Sequence, residues 1–114
     1  MGEGIKYDTG KPRYAETLVD FKDSFDEVCK VWTFGANKYG KSNWKEVDDA
    51  ETRYTNAMIR HLIAEDTNAY DDESKILHAA HVAWNALARL YFIKNKTKEA
   101  PKYEQLIIEY FKDN

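Results

Sequence analysis

Apolar residues recur every three or four positions in four stretches of this 114-residue chain, and no stretch shows sustained two-residue alternation. The first spacing is that of a helix burying one face, and the second would be that of a half-buried strand. The chain is thereby restricted to an all-α fold, a small bundle of about four helices. Leu18, Phe21, Phe25, Val28 and Trp32 define a first helix, Glu16 to Phe34, with Gly35 as its stop. A loop from Gly35 to Asp49 follows. Helix-start acids at Asp48 or Asp49 then open a second helix, Ala50 to Asn68, with Tyr54, Ala57, Met58, His61 and Leu62 on one face. After a short connection, Asp71 or Asp72 is expected to cap a third helix running to about Lys94, with Leu77, Ala80, Trp84, Leu87 and Tyr91 inward. Asn95 to Pro101 reads as a polar linker. Pro101 suits the first turn of a fourth helix, whose stripe is Tyr103, Leu106, Ile107, Tyr110 and Phe111. Residues 1–14 hold three of the five glycines and no helical period, so they read as an extended arm ahead of the bundle.

The length fits one domain, residues 1–114, able to bury about 65% of its unfolded surface. Seventeen basic against twenty acidic residues give a net charge of -3, which excludes a protein that coats nucleic acid by bulk electrostatics. Cys29 is single, so no intramolecular disulfide forms, and its place in a helical apolar stretch predicts a buried thiol. No apolar run approaches the ~18 residues of a membrane span, and no signal-peptide pattern opens the chain. Lys6 stands where a myristoylation signal needs Ser or Thr. The aromatic share is high, at 14%. Phe21, Phe25, Trp32, Trp84, Tyr91 and Phe111 fall on the stripes and are expected in the core. Tyr7, Tyr14, Tyr39 and Trp44 fall outside them, among Lys, Arg and Gly.

Two constellations carry chemistry. All three histidines lie between positions 61 and 81. His61 and Glu65, spaced i, i+4, are neighbours on the second helix. His78, His81 and Asn85 fall within about 60° of one another on the third at ~100° per residue. Asp66, Asp71, Asp72 and Glu73 lie between the two sets. Antiparallel pairing of these helices brings imidazole, carboxylate and amide into one volume, as a divalent-metal site in a bundle does. The second constellation is basic: Lys6, Lys11 and Arg13 around Gly4, Gly10 and Pro12, then Lys38, Lys41 and Lys45 interleaved with Tyr39, Asn43 and Trp44. Cations neutralise phosphate, and flat rings with an amide can hold a base.

Spacing excludes several other sites. From Asp66, the sixth residue is Asp71 and the twelfth is Leu77, which no calcium EF-hand loop allows. There is no His-Asp dipeptide, no phosphate-binding Gly-x-x-x-x-Gly-Lys-Ser/Thr loop, no Gly-x-Gly-x-x-Gly, and no serine flanked by the glycines of a nucleophile elbow. A lone cysteine cannot anchor a structural zinc.

The string Ile5 to Arg13 (IKYDTGKPR) resembles the opening of a phage-associated family. So do Thr33 to Gly40 (TFGANKYG) with Asn43-Trp44, Arg60-His61-Leu62, Asp72-Glu73-Ser74, and His78, His81 and Asn85. The family is the dATP/dGTP diphosphohydrolase N-terminal type, similar to MazG-like all-α nucleoside triphosphate pyrophosphohydrolases. The resemblance runs from about Ile5 to Phe92. It implies an oligomeric helical bundle in the cytoplasm (the host bacterial cytosol for a phage protein). Such a bundle binds a nucleoside triphosphate with Mg²⁺ or Mn²⁺ and hydrolyses a (d)NTP, purines favoured, to (d)NMP and pyrophosphate. MazG-like enzymes carry metal on Glu-x-x-Glu and Glu-x-x-Asp pairs, where this chain has imidazole and amide. Lys75 stands where the family usually has Gly, and Glu16-Thr17-Leu18 where it tends to show Leu-Leu-Pro.

Carried onto these positions, the resemblance implies a metal held by His61, Glu65, His78 and His81, with Glu65, Asp72 or Glu73 as catalytic carboxylate. Lys6, Lys11, Arg13 and Lys38 would hold the polyphosphate. Tyr39 or Trp44 would stack on the base, and Asn43 would read its edge; Arg60 and Asn85 complete the nucleotide-binding set. The fourth helix, residues 101–114, is the candidate contact between subunits. The alternative is a non-catalytic phage sponge that sequesters a signalling nucleotide: the basic arm and aromatic loop kept, the carboxylate pairs lost.

Overall fold

The computed structural model describes residues 4–96 and 103–113, and among these every regular element is helical. Five helices result: α1 (Tyr14–Asp20), α2 (Lys22–Tyr39), α3 (Ala50–Ala64), α4 (His78–Lys96) and α5 (Tyr103–Asp113), with a short 3₁₀ turn at Asn43–Lys45. They fall into two compact units, residues 1–20 with 99–114, and residues 21–98.

In the smaller unit, residues 4–13 have no helix. Lys11 N–H donates to the Asp8 carbonyl at 3.0 Å, closing a four-residue turn with Gly10 third, at φ 82°. Such a turn needs a left-handed residue there, which glycine supplies without steric cost. A Cβ at Gly10 would also lie 3.5 Å from the Ile107 side chain of α5. Pro101 and the side chains of Tyr103 and Leu106 lie outside the described residues, and Tyr110 and Phe111 are exposed.

In the larger unit, α4 packs against α3 and α2. The α3–α4 pair is antiparallel, as three cross-links along its length show: Lys96 with Glu51, Arg89 Nε to Thr55 Oγ1 at 2.5 Å, and His61 against His78. Small residues (Ala50, Ala80 and Ala88) are buried along these helices and let them approach closely. The core is Val31, Ile76 and Ala80, with Phe34, Leu77 and Trp84 packed on it. Beyond it, Trp44, Tyr54, Trp84, Tyr91 and Phe92 meet edge-to-face and stacked with centroids 4.9–6.0 Å apart. The Tyr54 hydroxyl donates to the Trp44 carbonyl at 2.7 Å, pinning the loop to α3.

The helix boundaries differ from expectation for local reasons. The first helix breaks at Phe21 (φ -107°, ψ 19°) and then passes through Gly35 to Tyr39. A mid-helix glycine costs only about 1 kcal/mol, and the stop is instead Gly40, at φ 98°, whose N–H reaches the Ala36 carbonyl. Asp49 does sit at the N-cap of α3, but at φ 52° and without a side-chain cap bond; its carbonyl accepts from Arg53. The second helix closes at Ala64, in tight turns through Thr67, rather than at Asn68. The third starts at His78, because Asp71 spends its carboxylate on a turn of its own: Oδ2 accepts from Glu73 N–H at 3.1 Å and Ser74 N–H at 2.8 Å. That turn is closed by Asp71 N–H to the Ile76 carbonyl and His78 N–H to the Ala69 carbonyl, both 2.8 Å.

Burial also departs from the stripes. Phe21, Phe25, Trp32, Tyr91 and Phe111 are exposed, leaving Trp84 as the one of the six that packs on the core. Cys29 is exposed as well. Helices with apolar stripes in so small a unit have too little neighbouring protein to cover them.

Lys75, at φ 63°, occupies the left-handed region while donating its N–H to the Asp71 carbonyl at 2.9 Å. A side chain there costs about 1–2 kcal/mol, against the 0.5–1 kcal/mol that a glycine loses in chain entropy. Lys75→Gly is therefore expected to raise the melting temperature by a few degrees, about 0.5–1 kcal/mol. Calorimetry checks this; a lowered midpoint would show that the turn relies on the lysine side chain.

Candidate active site

The C-terminal half of α2, the loop behind it, α3 and the start of α4 enclose a cleft of about 690 Å³, within the range of small-molecule sites. Helical spacing sets each wall. Arg53, Asn56, Ala57, Arg60 and His61 follow one another at three and four along one face of α3, and His81, Trp84 and Asn85 do so on α4. Lys38 and Tyr39 come from the last turn of α2, Lys41, Asn43 and Trp44 from the loop, and Asp71 and Glu73 from the turn before α4. Four cations (Lys38, Lys41, Arg53, Arg60) and two carboxylates (Asp71, Glu73) thus line the cleft. The lining is locally basic although the chain is acidic.

His61 and His81 bring a histidine cluster to the cleft. The Nδ1 atoms of His61 and His78 lie 2.8 Å apart, and the rings of His61 and His81 stack at 4.3 Å. His78 and His81 are buried. His81 Nε2 meets Ser74 Oγ at 2.7 Å, and Ser74 Oγ also accepts from Ile76 N–H. Donor atoms of His61, His78 and Asp71 lie within 4.8 Å of one another. Burial lowers the His61 pKa, with His78 and Arg60 acting the same way against Asp71. Burial, then His61, brings His81 down to about 4, so both imidazoles are neutral at pH 7. For Asp71, burial acts upward, but hydrogen bonds from Ser74 and the nearby imidazoles hold its carboxyl below the usual value.

Also in the lining, Lys38 Nζ pairs with Glu73 Oε2 at 2.7 Å and lies 5.1 Å from the Tyr39 ring centre. Asn85 is buried and donates to the His81 carbonyl at 2.8 Å.

Of the residues singled out from sequence, Lys38, Tyr39, Asn43, Trp44, Arg60, His61, Glu73, His81 and Asn85 line this cleft, and His78 stands directly behind His61. Glu65 lines a separate cavity with Leu62, Asp66 and Leu77. Asp72 is exposed and lines neither. Lys6, Lys11 and Arg13 belong to the other unit, where Arg13 pairs with Glu16 and Lys11 lies 4.0 Å from Asp8. Arg53 and Asn56 escaped the sequence reading. The run Arg53, Asn56, Arg60 has the three-then-four spacing of His78, His81, Asn85, so polar as well as apolar periodicity along α3 marks them. Asp71 is not the start of α4 but part of the cluster.

The donor chemistry decides which ion suits the cluster. Two imidazole nitrogens and one carboxylate do not fit Mg²⁺, which takes oxygen ligands in an octahedron. They do fit first-row transition ions, which accept imidazole.

The neutral imidazoles make stability pH-dependent. In the unfolded chain the histidines bind protons near 6.5, whereas folded His81 does so only near pH 4. The His81 contribution is therefore complete above pH 6.5, lost progressively between pH 6.5 and 4, and level below. It is on the order of 3 kcal/mol. Chemical denaturation of the metal-free protein across that window should show the loss, and His81→Gln should flatten it. A midpoint constant from pH 6.5 to 4 would contradict the burial of a neutral ring.

Residues 1–102 match the family described as dATP/dGTP diphosphohydrolase, N-terminal. A relative described as a dATP/dGTP diphosphohydrolase, from Salmonella phage PMBT28, is 34% identical over 94 residues. That alignment covers 82% of this chain and 31% of the relative, so the chain spans under a third of the protein it matches. No solved structure matches. The family match takes in α1 to α4 and every residue of the cleft: the chain belongs to the dATP/dGTP diphosphohydrolase N-terminal family.

Proposed function

We propose that the cleft binds a purine (d)NTP and that the protein hydrolyses it to (d)NMP and pyrophosphate. The observation that carries this is the lining of the cleft, where four cations and the rings of Tyr39 and Trp44 occur together with a histidine–carboxylate cluster. Arg53, Arg60, Lys38 and Lys41 would neutralise the triphosphate. Tyr39 or Trp44 would stack on the base, with Asn43 and Asn56 placed to read its edge. Asn85 would act through His81, whose carbonyl it holds.

Glu73 is the catalytic carboxylate of the expected set that lines the cleft. In the free protein its charge is spent on Lys38. An arriving triphosphate would draw Lys38 to a phosphate oxygen and release Glu73 to take the proton of the attacking water. Water oxygen then bonds to phosphorus, the bridge between the α and β phosphates breaks, and pyrophosphate leaves with the electron pair. A divalent ion at the histidine cluster would supply charge neutralisation and a more acidic water.

Self-association is part of the reading. Ile59, Leu62 and Ile63 on α3 and Leu87 and Leu90 on α4 are exposed, an apolar surface that a second copy would cover. No helix among the described residues is long and apolar enough to cross a membrane, and we place the protein in the cytoplasm.

A binding-only reading has one observation in its favour: Glu65 and Asp72 lie outside the cleft. Product analysis separates the two. The full chain incubated with dATP or dGTP and a divalent ion should release dNMP and pyrophosphate. Glu73→Gln should lower kcat by about a hundredfold, and Arg60→Ala should raise KM by about tenfold or more. Release of dNDP and phosphate would contradict the stated cleavage. Recovery of the bound nucleotide intact after denaturation would establish the sponge instead.

A further inference from the structure

The histidine cluster has a chemistry of its own, separable from the phosphate-binding wall. We infer that His61, His78 and Asp71 form a mononuclear site for a first-row transition-metal ion of the Zn²⁺ or Co²⁺ kind, which rejects Mg²⁺.

Three features of the geometry support this. First, the Nδ1 atoms of His61 and His78 approach to 2.8 Å although they come from different helices, seventeen residues apart. Two ring nitrogens aimed at each other share at most one proton between them, so at least one lone pair faces the gap. Second, a carboxylate oxygen of Asp71 joins them within 4.8 Å. Ligands bound to one ion at ~2.0–2.1 Å in a tetrahedron lie about 3.3 Å apart, so small side-chain rotations convert the free cluster into a bound one. Third, the supports are already in place. Asp71 is held by the Glu73 and Ser74 amides, and a carboxylate accepting two hydrogen bonds keeps further lone pairs for a metal. The same Ser74 holds His81, whose ring stacks on His61 and fixes its plane.

Ligand type sets the selectivity. Nitrogen donors favour Co²⁺, Ni²⁺ and Zn²⁺ over Mn²⁺, and a hard, reluctantly dehydrated Mg²⁺ gains little from imidazole. Three protein ligands leave a coordination position for water or a phosphate oxygen, on a site whose His61 and Asp71 line the cleft. The inference concerns the ion that the proposed hydrolysis would use, but its binding is readable with no nucleotide present.

The test is a Co²⁺ titration of the EDTA-stripped full chain, followed by visible absorption. The expected result is one Co²⁺ per chain with the intense d–d bands of a four-coordinate site, displaced by equimolar Zn²⁺ and unmoved by a large excess of Mg²⁺. Asp71→Asn and His61→Gln should each weaken binding at least about tenfold, with circular dichroism showing that both variants fold. The wild-type titration stands even where a buried variant such as His78→Ala does not fold. Absence of the bands, displacement by Mg²⁺, or unchanged affinity in both variants would overturn the site. Co²⁺ bound here without dNTP turnover would leave the site standing and remove the proposed activity. Turnover with Mg²⁺ and no Co²⁺ bands would do the reverse.

Discussion

The antiparallel packing of α3 on α4, closed by the turn between them, is the constraint on which the rest depends. Two backbone bonds, His78 N–H to Ala69 and Asp71 N–H to Ile76, fold the connection back on itself, so that α4 starts beside the end of α3. Without that closure, His61 and His78 would be strangers in the sequence with no reason to meet. With it, Asp71 is carried to the same point, because the residue that caps the turn is also the one that faces the imidazoles. Structure and site chemistry therefore share a single carboxylate. Its backbone partners hold it charged, and the charge in turn partly offsets the burial of His61.

The remainder of the larger unit brings the basic residues into the same cleft as that cluster. Alanines at buried positions let the helices approach, and the rings of Trp44, Tyr54, Trp84 and Phe92 fill what the alanines leave. The Tyr54 hydroxyl on the Trp44 carbonyl ties to α3 the loop whose Lys41 and Asn43 line the cleft. The buried core is small, and many large apolar side chains face outward. A unit built this way gains little from its own interior, and its exposed apolar helix faces are where further stability is available through association.

The helical class and the meeting of the histidines were legible in sequence, because both follow from three-and-four spacing and a short connection. Boundaries were not. Gly35 looked like a stop, yet the chain ran on to a glycine five residues later; a glycine's cost in a helix is small enough for its neighbours to outvote it. Asp71 looked like a cap for α4 because an N-cap acid and an acid capping an isolated turn make the same bond to the same amides. Phe21, Phe25 and Trp32 follow the stripe but are exposed, since periodicity reports which face is apolar and not what covers it. Within the site, the loop cations and aromatics stood out by composition. Arg53 and Asn56 did not, because each alone is an ordinary exposed residue and only the folded wall gives them a shared direction.

The central claim is that this one cleft receives the nucleotide. All three tryptophans of the chain, Trp32, Trp44 and Trp84, line it, so intrinsic fluorescence reports occupancy without a label. Titration with a non-hydrolysable dGTP or dATP analogue, bridged at the α–β position, is predicted to give a saturable change in tryptophan emission. Excess inorganic pyrophosphate should reverse it. Emission that stays constant while an independent measurement shows the analogue bound would place the nucleotide elsewhere and contradict the account.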